Sequence, residues 1–306
     1  MTGGIAVIGR ISLDLLFGGI PRLPGIGEEI YSESFDLQLG CSSFVYATTL
    51  KRLGVPVKFG TFLSAGMRSQ MAKMLLDKEL ANTYINLYPT PEQNMPDPIM
   101  ISAAMSTVHD RSFMSYADNY ADKLIDDETI YHFYHGAKIA PTIPGYPEVM
   151  QQIAKEGTVL VHDTWWHDDM SLEREATMLS IASVFSPNDK EALFLTKTDN
   201  IEDALRILAT LVKYPIITLG AKGSATIVDN QVHYIHPRKE FKCVDTTGAG
   251  DNFLAGIMYG LYHDWDILKA MTVGNICGGH STTQIGCCKA SLNLAQLKNY
   301  LQNTPN

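Results

Sequence analysis

Short apolar runs alternate with longer amphipathic stretches along this chain. The runs at 5–8, 57–62, 99–104, 131–134, 159–162, 184–185, 216–219 and 225–228 predict strands. The amphipathic stretches predict helices over 43–53, 70–80, 146–155, 190–195, 201–214, 252–262, 267–282 and 292–301. From about residue 131 strand and helix alternate, which builds a mostly parallel central sheet with helices on both faces. Two regions break this order. Residues 10–40 are rich in Gly and Pro, and residues 84–120 follow a cluster of prolines with alternating polar and apolar positions. Neither resembles a βα unit, and both read as pieces of a small β-rich lid on an α/β core. With no internal repeat or flexible linker, one domain over 1–306 is expected.

Bulk properties narrow the function. At 45% hydrophobic and 19% charged residues the chain has the composition of a folded globular protein. A net charge of −9 argues against nucleic acid or anionic membrane as a partner, since both need clustered Lys and Arg. No apolar run reaches transmembrane length and no secretory signal opens the chain, so a cytoplasmic location is expected. Five cysteines (Cys41, Cys243, Cys277, Cys287 and Cys288), without a C-x-x-C pair, predict buried free thiols in a reduced compartment and no closed zinc site.

The main chemical signal is V-D-T-T-G-A-G-D-N-F-L-A-G, residues 244–256. Gly248, Ala249 and Gly250 form a turn of little bulk before an apolar helical face. Backbone N–H groups at such a helix start are unpaired and lie at the positive end of the dipole, so they can hold a phosphate. Asp251 lies in that first turn, where a carboxylate can accept the proton of a hydroxyl. Taken alone, the stretch reads as a turn followed by a favourable first-turn acid. Its surroundings decide.

D-T-T-G-A-G-D with N-F-L-A-G resembles the C-terminal signature of the ribokinase-like (PfkB) carbohydrate kinase family. Further landmarks follow in order: V-I-G-R-I-S-L-D at 7–14, P-G-I-G-E-E at 24–29, R-L-G at 52–54, S-P-N-D-K-E-A at 186–192 and T-L-G-A-K-G at 218–223. No P-loop, dinucleotide-binding or protein-kinase motif competes. The resemblance implies an enzyme that moves the γ-phosphoryl of MgATP to a hydroxyl of a sugar or sugar derivative. Asp251 would be the general base, and Gly248, Ala249 and Gly250 the anion hole. Asn188 and Glu191 would organise Mg²⁺ through water, which coexists with a capping role for both. Thr218, Gly220, Gly223 and Asn275 would line the ATP site, with an ordinary tight turn as the plain reading of Gly223. Asp245 and Thr247 match positions that hold a monovalent cation in relatives, so K⁺ is a further candidate. Asp14, Gly40, Val45 and Arg111 would meet the acceptor. Relatives often pair through the lid, which implies a homodimer.

The acceptor end departs from the family. Where the family has G-G-x-x-x-N-x-A this chain has G-C-S-S-F-V-Y-A at 40–47, so Cys41 replaces a glycine and Val45 the hydroxyl-binding Asn. G-x-D-x-x-G becomes A-G-M-R-S-Q at 65–70, with Met67 in place of the Asp. Losing a buried amide costs an ordinary sugar a hydrogen bond. Phe44, Val45 and Tyr46 then either face an acceptor with an apolar or aromatic part, such as a nucleoside, or simply pack their helix. Trp165 and Trp166, after a strand end, either stack on a planar group, meet a partner protein or pack. A nucleoside kinase and a non-catalytic ligand-binding regulator are the alternative readings, and the intact Asp251 with its glycines counts against the second.

Overall fold

The computed structural model describes residues 3–80, 83–88, 97–107, 111–118 and 125–302. In chain order the first elements are β1 (Ile5–Ile8), β2 (Ser12–Gly18), β3 (Ser34–Gly40), α1 (Ser42–Arg52), β4 (Val57–Thr61), α2 (Met67–Leu80) and β5 (Tyr84–Asn86). Then come β6 (Met100–Ser106), β7 (Arg111–Tyr116), α3 (Asp127–Tyr134), β8 (Ile139–Pro141), α4 (Pro147–Lys155), β9 (Val159–His162) and α5 (Leu172–Leu179). The remainder comprises β10 (Val184–Phe185), α6 (Asp189–Thr196), α7 (Ile201–Leu208), β11 (Tyr214–Thr218), β12 (Ser224–Val228) and β13 (Gln231–Ile235). Helices α8 (Ala249–Tyr262), α9 (Ile267–Ser281) and α10 (Leu294–Gln302) close it.

Two sheets organise these elements. One runs β13-β12-β11-β10-β9-β8-β1-β4-β5, and the other β3-β2-β6-β7. In the larger sheet β1, β8, β9, β10 and β11 pair in parallel, as do β4 and β5. Strands β12 and β13 add an antiparallel edge. Strand β1 is buried throughout, which explains why it reads as an unbroken apolar run. The expected α/β class and the β-rich second sheet are both present. By its contacts the chain forms two units, one of Met1–Ile8, Val45–Lys58 and Asp126–Asn306, the other of Gly9–Phe44 and Phe59–Ile125.

One expected strand is a helix. Residues 131–134 lie in α3, started by Asp126, whose carboxylate accepts the Thr129 N–H. Ile130, Phe133 and Tyr134 are its buried face, at the i, i+3, i+4 spacing of a helix, and the strand comes later at β8. The Tyr134 hydroxyl accepts the Ile8 N–H at 3.2 Å, and burial holds its pKa far above the usual phenol range.

The C-terminal helices place the main motif. Gly256 and Gly274 let α8 and α9 cross at backbone distance: a Cβ on Gly256 would lie 2.8 Å from Gly274 Cα. Leu254, Ile257 and Met258 fill the buried side of α8, each contributing about 1.5–3 kcal/mol by burial. The start of α8 is thereby held in place.

Candidate active site

Among the described residues six helices begin on a side-chain cap: Asp126, Ser171, Asn188, Asn200, Asp266 and Asn293 each accept a first-turn N–H. Helix α8 does not. Its N-cap is Gly248, in the left-handed region at φ 72°, with no capping side chain. The entering turn is tied by Asp245, whose Oδ1 accepts the Thr247 N–H at 3.0 Å and hydroxyl at 2.7 Å, and whose Oδ2 accepts the Gly286 N–H at 2.8 Å. A Cβ on Gly250 would meet nothing within 4 Å. The first turn of α8 therefore presents its dipole end to open space.

That open space belongs to a cavity of about 460 Å³, touching Thr218, Gly220, Gly223, Ala249, Gly250 and Asn275. These are residues the sequence nominated. Lys239, Phe241, Cys243 and Thr282 also line it, and no motif spacing marks them. Gly223 is demanded by the backbone itself: its φ is 96°, and a Cβ would run into the Ile235 carbonyl. Asn275 is buried, and its Nδ2 donates to the Ile235 carbonyl at 2.8 Å. Both residues brace the wall of the cavity as well as lining it.

Beside α8 lies a cluster of carboxyls. Asp251 is half-buried. Asp163, just past β9, is half-buried, and its pKa is pushed up to about 8, first by the desolvation of its carboxyl and then by the charge of Asp251. The Tyr46 hydroxyl donates to its Oδ2 at 2.8 Å and the Thr164 N–H to its Oδ1 at 2.9 Å. Glu191 adds a further repulsion. Glu191 forms a capping box with Asn188: the Asn188 N–H donates to Glu191 Oε2, and the Glu191 N–H to Asn188 Oδ1, both at 2.9 Å. Burial raises the Glu191 pKa too. Asp163 was not nominated from the sequence; the available signal was a carboxylate at the C-terminal end of a buried strand. Among the described residues no three His, Cys, Asp or Glu side chains converge as direct metal ligands. Trp165 and Trp166 are exposed, with Trp166 5.1 Å from the Phe194 ring, so they do not serve as core packing.

The second unit holds the nominated Asp14, Gly40 and Arg111, while Val45 belongs to the first. Ser12 donates its hydroxyl to Asp14 Oδ1 at 2.6 Å, and Ser12 pairs with Gly40 across β2 and β3. A Cβ on Gly40 would run into Asp14 Oδ2 and come within 2.6 Å of Ser12 Oγ, so the carboxylate lies over a glycine that leaves it room. Cys41 has φ 79°, the conformation that suits the glycine expected there. Arg111 opens β7, opposite Ser106; its neighbour Asp110 lies outside the described residues. Phe44, Val45 and Tyr46 are all buried, and Val45 has no exposed surface. Of the two readings left open for these residues, packing is the one the structure displays. Met67, in contrast, is exposed. Cys277, Cys287 and Cys288 are buried, but Cys243 is exposed, unlike the expectation for it.

The chain is similar to known proteins. A probable fructokinase-5 from Arabidopsis thaliana is 27% identical over 207 residues, 59% of this chain and 64% of that protein. Aminoimidazole riboside kinase from Salmonella typhimurium is 31% identical over 146 residues, 45% of each. The chain thus spans less than two thirds of the length of either relative. The crystal structure of ribokinase from Thermotoga maritima superposes with a TM-score of 0.79 at 20% identity, covering 98% of this chain and 99% of that one, and shows the shared fold. The model for pfkB family carbohydrate kinases matches residues 45–293, a stretch that takes in the uncapped start of α8, the carboxyl cluster and the cavity wall, and the chain belongs to that family.

Proposed function

We propose that the protein transfers the γ-phosphoryl group of ATP to a hydroxyl of a sugar or sugar derivative. The observation that carries this reading is the cavity of about 460 Å³ ending on the uncapped, glycine-built first turn of α8, with Asp251 next in line. ATP with Mg²⁺ supplies an activated phosphoryl group and charge neutralisation. The chain's residues fit such a group. Asp251 and Glu191 both oppose ionisation of Asp163, a repulsion that a divalent cation would relieve. Asp251 takes the proton from the acceptor hydroxyl. The Gly248–Gly250 turn stabilises charge on the phosphoryl oxygens. Asn188 and Glu191 would hold Mg²⁺ through its water, and Asp14 would bind acceptor hydroxyls. Asp245 and Thr247 are the candidates for K⁺, although the Asp245 carboxylate already ties the turn.

Exposed Phe35, Phe113, Met114 and Tyr116 on the smaller sheet support a homodimer through that sheet. The riboside kinase among the relatives keeps a nucleoside acceptor as the second reading. A panel of sugars and nucleosides with MgATP, read as ADP release, tests the proposal. Turnover with one class names the acceptor. Ligand-induced melting shifts without any turnover would replace the kinase by a binding protein.

A further inference from the structure

The loop 283–290 forms the back of the phosphate-binding turn, and it carries two adjacent cysteines. Cys287 and Cys288 are buried, with their sulfurs 3.9 Å apart. Cys287 packs on the N-cap of α8: a Cβ on Gly248 would lie 2.6 Å from Cys287 Cβ and 3.1 Å from its carbonyl oxygen. That carbonyl accepts a hydrogen bond from Asn252 Nδ2 at 2.8 Å, and the same amide donates to the Gly248 carbonyl at 2.8 Å. Arg52 holds the Cys288 carbonyl, and the Gly286 N–H holds Asp245. The loop has no helical or strand ladder of its own to resist a local twist.

We infer that Cys287 and Cys288 are a redox modification site, closing to a disulfide that deforms the phosphate-binding turn of α8. The inference rests on reading Gly248–Gly250 as that turn. Adjacent α-carbons lie about 3.8 Å apart, short of the usual disulfide range of about 4.4–6.8 Å. Bringing the sulfurs from 3.9 Å to a bond of about 2.05 Å therefore twists the peptide between them. The twist carries the Cys287 carbonyl away from Asn252 and withdraws the wall on which Gly248 rests. A bond strained in this way reduces easily, which is the property of a reversible switch rather than a structural staple. The oxidant is a small disulfide such as oxidised glutathione. One cysteine thiolate attacks it, forming a mixed disulfide and releasing one glutathione. The neighbouring thiolate then displaces the second glutathione and forms the Cys287–Cys288 bond. Two protein thiols are oxidised, one small disulfide is reduced to two thiols, and the two thiol protons pass to solvent or to the departing glutathione.

The test incubates the whole protein with oxidised glutathione. Peptide mass spectrometry reads the 287–288 segment, and ADP release and the melting shift caused by ATP are followed in parallel. The expected result is loss of two hydrogens from that peptide in step with a fall of at least about tenfold in turnover, restored by dithiothreitol. Cys288→Ser keeps its activity under the same oxidant, and Cys288→Ala substitutes for it if the serine variant folds poorly. Turnover lost equally in these variants, a mixed glutathione adduct at Cys243 accounting for the loss, or a cross-link without effect on either readout would overturn the inference. Absence of turnover in the reduced protein is a different result and strikes the kinase reading, while the cross-link and the ATP melting shift remain readable.

Discussion

The phenol of Tyr46 donates to the half-buried carboxyl of Asp163 across 2.8 Å, joining α1 to the C-terminal end of β9 inside one unit. Neither residue belongs to the phosphate-binding signature. Yet Asp163 is close enough to Asp251 and Glu191 for both to disfavour its ionisation. The pair therefore reports on the charge state of the carboxyl cluster.

A pH dependence follows. The Asp163 pKa rises from 3.8 to about 8 on folding. An acid shifted upward stabilises the fold fully below its unfolded pKa, and that contribution is lost as pH rises through the folded value. Stability should fall between about pH 4 and pH 8, by no more than about 1.4 kcal/mol per pH unit from this group. Urea midpoints across that window are expected to decline for the wild type and flatten in Asp163→Asn. Tyr46→Phe removes a bond that favours the ionised form, so its decline extends to higher pH.

Two glycines separate backbone need from chemical role. Gly223→Ala places a methyl group against the Ile235 carbonyl at a positive φ, and the melting temperature should drop by the equivalent of about 1–3 kcal/mol. Gly250→Ala meets open space in a helical first turn, so stability should hold or rise by up to about 1 kcal/mol. Its kcat should nevertheless fall, because the methyl enters the space assigned to the phosphoryl group. Equal kcat in Gly250→Ala and wild type would remove that turn from the mechanism.

The sequence exposed most of the central sheet because buried parallel strands such as β1 and β9 are continuous apolar runs. It misread 131–134, where three large apolar residues in five satisfy a strand and a helix pattern equally and the Asp126 cap settles the matter. Edge strand β13 has only exposed and half-buried positions, and no apolar run announces it. At the site, local motifs such as G-A-G-D and the Asn188–Glu191 box were legible because their geometry lies within a few residues. The Tyr46–Asp163 bond was not, since its partners are separated by 117 positions. Cys41 shows the reverse case: the missing glycine was visible, and the backbone keeps the glycine's φ without it.

Asp14 gives a split between substrates. Asp14→Ala should raise the KM for the acceptor by at least about tenfold and leave the KM for ATP within about twofold, because the residue is assigned to acceptor hydroxyls alone. Gly40→Ala should reproduce the acceptor defect by displacing the Asp14 carboxylate while the side chain itself remains. Steady-state kinetics with each substrate varied in turn reads both. Equal effects on the two KM values would take Asp14 out of the acceptor site.

Asp251→Asn tests the base itself. The amide keeps the shape and the first-turn position but cannot accept the acceptor's proton, so kcat should fall by at least about 10²-fold. ATP binding, read as a melting shift, should be retained, since the N–H groups and dipole of α8 are unchanged. The substitution also removes the charge that disfavours ionisation of Asp163. The Asp163 pKa should therefore drop, and the stability decline with pH should move to lower pH. A merely structural Asp251 would lower stability and ATP binding together with kcat. Loss of turnover with binding intact and a shifted pH profile would place the negative charge of Asp251 at the reaction centre.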